Sequence, residues 1–203
     1  MLTLYYTKGT CADVVLLMAN TLEIELNISH VDISKKPPQT AHGKDYALIN
    51  AKGYVPALAL EDGEIITEVA AICAYFSTLK PGNTLFPLEG KTLVDQLQWF
   101  NYIATELHKN YMPLIYQAFG VDVGTKWPEI VKGMLTKRYQ YVDQVLANQP
   151  YLTGNIMTAA DIYCFMTTLW ANKVSFDLSS FKNIQQFKAR MQKETIINNL
   201  YPA

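Results

Sequence analysis

At 203 residues, half of them apolar, the chain has the length for one or two domains and a sizeable core. No apolar run approaches the ~20 residues a membrane-spanning helix needs, and a formal net charge of -1, spread evenly, gives no electrostatic case for nucleic acid or an anionic membrane. The three cysteines, Cys11, Cys73 and Cys164, lie far apart, so neither a metal cluster nor a disulfide framework is expected.

The first residues, Met-Leu-Thr-Leu-Tyr-Tyr, lack the charged and apolar regions of a secretory signal, and a cytoplasmic protein is the expectation. Residues 2–6 read as a strand, 7–10 as a loop and 12–20 as a helix. Cys11 sits at that junction, where a helix dipole would lower its thiol pKa. Lys8 would act in the same direction and Asp13 against it. Position alone serves an activated thiol and a merely packed cysteine equally well. A redox dithiol is disfavoured, because the residue three places on is Val14.

Residues 25–32 alternate and read as a second strand with Leu26, Ile28 and His30 on one face, His30 lying at a sheet edge. Strand, helix, strand implies a right-handed βαβ unit with parallel strands. Residues 34–38, Ser-Lys-Lys-Pro-Pro, form a polar loop whose lysines could reach an anionic ligand.

Residues 50–69 hold the densest signals. Pro56 forces Val55 out of the helical region, so 57–60 begins extended. Asp62-Gly63 between apolar runs marks a hairpin to 65–66. After Thr67 the spacing turns helical, with Val69, Ile72, Cys73 and Phe76 as one buried stripe ending before Pro81-Gly82. A cis Val55-Pro56 bond costs only about 0.5 to 1 kcal/mol and would turn the Val55 backbone outward, where an extended peptide can pair with it. The helix start at Glu68 suits a carboxylate, and Glu68 itself an ammonium. Together these describe a site for a small zwitterionic peptide.

From about residue 88 the patterns are all helical, with 81–87 as the linker. A helix over 91–110 places Leu93, Leu97, Phe100, Ala104 and Leu107 in the core and Asn101, Thr105 and His108 on a polar stripe suited to a cleft wall. Further helices are expected over 126–146 and 181–192. Beyond Thr158 the chain is apolar on nearly all sides, a central helix with Thr158 and Asp161 as its capping box. Cys73 and Cys164 read as core residues.

The segments Leu-Tyr-Tyr-Thr-Lys-Gly-Thr-Cys, Asn-Ala-Lys-Gly-Tyr-Val-Pro-Ala-Leu, Glu-Asp-Gly followed by Thr-Glu, Trp-Phe-Asn-Tyr-Ile-Ala-Thr-Glu-Leu-His-Lys and Gly-Asn-Ile-Met-Thr-Ala-Ala-Asp occur in this order. Over essentially its whole length the chain resembles a bacterial glutathione S-transferase of the cysteine-type beta class. The resemblance implies an α/β, thioredoxin-like N-terminal domain over 1–80 (βαβ, then β-hairpin and helix) and an all-α C-terminal domain over 88–203. It implies a homodimer, glutathione as co-substrate with no further cofactor, and a small hydrophobic electrophile as second substrate. It also assigns roles. Cys11 contacts the glutathione sulfur, Val55 pairs with its cysteinyl backbone, and Lys36 lies near its glycyl end. Glu68 and Val69 clamp the γ-glutamyl group. Asn101, Thr105, Glu106, His108 and Lys109 form the wall from the helical domain, with His108 assisting thiol deprotonation or positioning the thiol. Tyr111, Met112, Tyr116 and Trp170 either line an electrophile pocket or simply pack.

Three positions depart from the family pattern. Ala12 and Val69 stand where relatives carry a hydroxyl or glycine, and Lys8 replaces a common proline. Conjugation of glutathione is the favoured activity. A glutathione-dependent thiol-disulfide reductase or peroxidase using Cys11, and a non-catalytic interaction module, are the alternatives.

Overall fold

The computed structural model describes residues 1–202, which fall into two compact units, Met1–Leu88 and a second beginning at Glu89. The segment 81–87, expected as a linker, goes with the first unit, and its Leu85 and Phe86 are buried. Among the described residues no helix is long and apolar enough to cross a membrane.

The first unit runs β1 (Leu2–Tyr6), α1 (Ala12–Thr21), β2 (Leu26–Asp32), β3 (Gln39–Thr40), β4 (Ala57–Ala59), β5 (Ile65–Thr67) and α2 (Val69–Leu79). One five-stranded sheet has the order β3-β2-β1-β4-β5. β1 and β2 are parallel, joined through α1, and the other pairs are antiparallel. Alternation sends Leu4 and Tyr6 of β1 inward, and the apolar stripe Ile72, Cys73 and Phe76 makes α2 a buried helix. Each such fully buried aliphatic or aromatic side chain contributes about 1.5 to 3 kcal/mol.

Two details of the sheet correct the sequence reading. β2 is an edge only in part: the two-residue β3 pairs with its end at Val31↔Thr40 and Asp32↔Gln39, while among the described residues no strand lies beside Leu26–Ser29 on that side. The buried residue near its end is Val31, while His30 is exposed, its ring edge-on to Tyr6. The β4–β5 hairpin forms as expected. Leu60 N donates to Glu64 O at 2.8 Å, Gly63 N to Leu60 O at 3.1 Å, and Gly63 sits at φ 92°, where a side chain would be strained.

The second unit contains α3 (Gly90–Tyr102), α4 (Lys109–Ala118), α5 (Lys126–Leu146), α6 (Ala159–Lys173), α7 (Lys182–Met191) and α8 (Thr195–Leu200). α6 is its central helix, buried from Ala159 through Thr168 and again at Trp170 and Ala171. Its capping box is present: Asp161 Oδ2 accepts from Thr158 N at 2.8 Å and Thr158 Oγ1 at 2.9 Å. Asp161 Oδ1 also accepts from Leu152 N at 2.7 Å, tying the preceding loop to the helix start.

The helix expected over 91–110 is not a single α-helix. Between α3 and α4 the residues Ile103–His108 form a π turn. A wider turn displaces carbonyls from the regular ladder, and the Asn110 side chain answers two of them, donating to Thr105 O at 3.1 Å and Glu106 O at 2.9 Å. Pro113, inside α4, further removes a backbone donor. The buried stripe is also offset from the expected one. Gln96, Phe100, Ile103 and Leu107 are buried, whereas Leu97, expected in the core, is 41 % exposed.

Candidate functional site

In the first unit the loop between β1 and α1 is fixed from inside. Asp13, fully buried in the first turn of α1, accepts from Tyr6 OH at 2.5 Å and from Gly9 N at 2.8 Å. Thr10 Oγ1 donates to Thr7 O at 2.7 Å. This arrangement sets Cys11 as the residue before α1, with its Sγ donating to Val55 O across 3.6 Å.

The lowering expected from the helix dipole does not prevail at Cys11. Burial pushes the thiol up to about 12, and the charges of Asp13 and Glu68 add to the rise; its own backbone N–H works the other way without prevailing. The residue is only 7 % exposed, so loss of solvation outweighs a partial charge at the helix end. Cys11 is a neutral hydrogen-bond donor at physiological pH.

Val55 precedes a cis Pro56 and is buried. Its loop is held by Asn50 Nδ2, which donates to Tyr54 O at 2.7 Å, and by Tyr46 OH, which donates to the same oxygen at 3.3 Å. Glu68, just before α2, adopts φ 74° and ψ 129°, an uncommon left-handed setting for a non-glycine residue. The first ladder bond of α2 runs from Ile72 N to Glu68 O, so the amides before Ile72 lie ahead of the helical ladder. Val69 is buried at 7 % exposure. Lys36 lies in the exposed loop after β2, before a cis Pro37.

Two residues of this half were missed in the sequence. Lys52 Nζ donates to Glu68 Oε1 at 2.6 Å and to Thr67 Oγ1 at 2.8 Å, and Tyr54 OH donates to the same Glu68 oxygen at 3.1 Å. The Glu68 carboxylate raises the pKa of Lys52; Tyr54 is raised by burial first and then by Glu68. Lys-Gly-Tyr immediately before Val-Pro was the available signal, but the pairing spans 14 to 16 residues and no local pattern encodes it.

In the second unit the expected residues share one stretch but face different partners. Asn101 and Thr105 are exposed and turn their side chains back onto their own helix, Asn101 Nδ2 to Leu97 O and Thr105 Oγ1 to Asn101 O, both at 2.9 Å. Glu106 Oε2 accepts from Arg138 Nε of α5 at 2.5 Å. His108 faces α6, with Nδ1 2.7 Å from Tyr163 OH and its ring 4.6 Å from that of Trp170. Lys109 is exposed.

Of the residues suggested for an electrophile pocket, Tyr111 is core. Its hydroxyl donates to Tyr139 OH, which donates to Thr167 Oγ1, both at 2.9 Å. Trp170 is buried as well, while Tyr116 is 48 % exposed.

Residues 10–79 match the family model described as the N-terminal domain of glutathione S-transferase, and residues 102–194 match the C-terminal domain of the same family. The chain belongs to the glutathione S-transferase family. It is 32 % identical over 201 residues to glutathione S-transferase GstA of Escherichia coli O157:H7, covering 98 % of this chain and 97 % of that one. Among solved structures it is similar to BphK, a bacterial glutathione S-transferase crystallised as a ternary complex. That match has a TM-score of 0.90 and 33 % identity over 98 % of this chain and 96 % of BphK. It is also similar to a glutathione transferase from Methylococcus capsulatus strain Bath, with a TM-score of 0.89 and 30 % identity over 98 % and 97 % of the two chains. The glutathione S-transferase fold thus accounts for both units: a thioredoxin-like sheet with its helices, and an all-helical second unit.

Proposed function

We propose that this family member is a beta-class glutathione transferase that conjugates glutathione to small hydrophobic electrophiles. The observation that carries the reading is the meeting of the Cys11 thiol with the Val55 carbonyl, within electrostatic reach of Glu68.

In this reading the cysteinyl N–H of glutathione takes the Val55 carbonyl, and Cys11 S–H transfers its donation from that oxygen to the glutathione sulfur. A donor on sulfur favours the thiolate of the bound peptide, the nucleophilic form. The thiolate then forms an S–C bond with the electrophile while the bond to the leaving group breaks. The leaving group departs with the electron pair, and the thiol proton has already passed to a base or to water. His108 is assigned to the sulfur on the family resemblance, and Tyr163 and Trp170 set its ring orientation. Lys36 serves the glycyl end, and Glu68 with the start of α2 the γ-glutamyl end. Asn101, Thr105, Glu106 and Lys109 are carried as ligand-wall residues. A cytoplasmic homodimer with no cofactor beyond glutathione completes the proposal.

A protonated, buried Cys11 supports conjugation over a reductase that needs a Cys11 thiolate. Glutathione titrated calorimetrically into the wild type should bind in the micromolar range. Turnover of a chlorinated nitroaromatic should exceed reduction of hydroxyethyl disulfide, and Cys11→Ala should lower conjugation without abolishing it. Disulfide reduction as the dominant activity, abolished in Cys11→Ala, would establish the reductase. Absence of glutathione binding and of both activities would leave an interaction module.

A further inference from the structure

The ion pair at the start of α2 has a geometry that a purely structural role does not explain. Lys52 Nζ and the Glu68 carboxylate are 46 % and 56 % exposed, a setting in which a pair contributes about 0 to 1 kcal/mol to folding. Yet the Lys52 ammonium is held from two sides, by Glu68 Oε1 and by the hydroxyl of Thr67. Tyr54 OH braces the same carboxylate oxygen. An ammonium has three donors, and two are used here. Next along the chain stands Val69, whose side chain has no donor to offer a ligand carboxylate.

We propose that Lys52 is a specificity-determining residue of the glutathione site: it supplies the positive partner for the α-carboxylate of the γ-glutamyl group, while Glu68 supplies the negative partner for the α-ammonium. This rests on the reading above that the site takes glutathione. A zwitterionic amino-acid end carries both charges on one carbon, and Lys52 and Glu68 present their complements 2.6 Å apart. The pair therefore reads the complete α-amino-acid group. A ligand with only one of the two charges leaves one member of the pair unanswered and loses a charge-assisted hydrogen bond. Tyr54 keeps the Glu68 carboxylate aimed, and Thr67 does the same for the ammonium of Lys52.

The test is calorimetric titration of wild type, Lys52→Met and Lys52→Arg with three peptides. These are glutathione, its analogue without the α-carboxylate (4-aminobutanoyl-cysteinyl-glycine) and its analogue without the α-amino group (glutaryl-cysteinyl-glycine). Lys52→Met should weaken glutathione about tenfold, the effect of one lost charge-assisted bond. It should leave the decarboxylated analogue within about twofold of its wild-type affinity. Lys52→Arg should retain most of the glutathione affinity. Equal weakening of glutathione and the decarboxylated analogue would overturn the assignment. So would unchanged or tighter glutathione binding in Lys52→Met, the latter meaning that Lys52 competes with the ligand ammonium for Glu68. If wild type itself fails to bind glutathione, the functional reading falls first and this assignment with it. If wild type binds and the analogues do not discriminate, only the role of Lys52 falls.

Discussion

The thiol of Cys11 is the most exposed point of the functional reading to experiment, because two physical effects oppose each other there and one is the larger. Alkylation of ligand-free protein by iodoacetamide, followed by mass spectrometry across a pH series, reads the thiolate directly. Burial moves the thiol from an ordinary 9.0 to about 12. Three units lower the thiolate fraction at any pH below both values on the order of a thousandfold, and the rate follows that fraction. Cys11 should therefore react at least about a hundredfold more slowly than a peptide thiol near neutral pH, with a rate still rising above about pH 10. Cys73 and Cys164 are buried in helices and serve as internal references, and Cys11→Ala identifies the peptide. A rate that levels off around a midpoint at or below about 8.5 would show that the helix dipole wins after all. The donor role given to Cys11 would then fail, and the reductase reading would gain.

Asp13→Asn removes a buried negative charge that raises the Cys11 pKa, so the same alkylation should speed up, by at most about tenfold for one unit; an unchanged or slower rate would refute that coupling. Asp161→Ala strips the acceptor from Leu152 N, Thr158 N and Thr158 Oγ1, and urea unfolding should show a loss of about 3 kcal/mol or more, with a loss under about 1 kcal/mol counting against it. Burial raises the Asp161 carboxyl from 3.8 to about 6, so its contribution to stability is fully present below the unfolded value and is lost as pH rises through about 6. The urea midpoint of wild type relative to Asp161→Asn should fall over that interval, and a flat difference would contradict the shift. Tyr163→Phe deletes the hydroxyl 2.7 Å from His108 Nδ1; it should cost about 1 kcal/mol and move the His108 ring-nitrogen resonances, whereas unchanged resonances would mean the contact does not form in solution.

What was legible in the sequence was local. Val55-Pro56, Asp62-Gly63 and the Thr158 to Asp161 spacing each encode their geometry within a few residues, and the strands, the hairpin and the central helix follow from them. α5 has the expected bounds, Lys126–Leu146, because its apolar spacing is regular throughout. The π turn at Ile103–His108 was not legible. The offset at Leu97 has another cause: the apolar side chain marks the core in a sequence reading, yet the polar Gln96, which keeps helical spacing to Phe100, Ile103 and Leu107, is the buried residue. β3 is two residues long, too short for any alternation to register. Around the site, the residue types at Cys11, Val55 and Glu68 could be read, but their environment could not. Desolvation of Cys11 depends on tertiary burial, and the hold of Asp13 on Tyr6 and of Lys52 on Glu68 joins separate segments.

The outermost strands of the sheet are short, two residues at β3 and three at β5, and β3 covers only the end of β2. A lone margin of that length offers few unpaired amides and carbonyls on which a neighbouring chain could continue the pattern. Pro37 and Pro38, just ahead of β3, shorten the available row further, since neither has an amide hydrogen. A neighbouring chain finds little to continue at β3 or β5, and the longer row it could join is Leu26–Ser29 of β2, on the side away from β1.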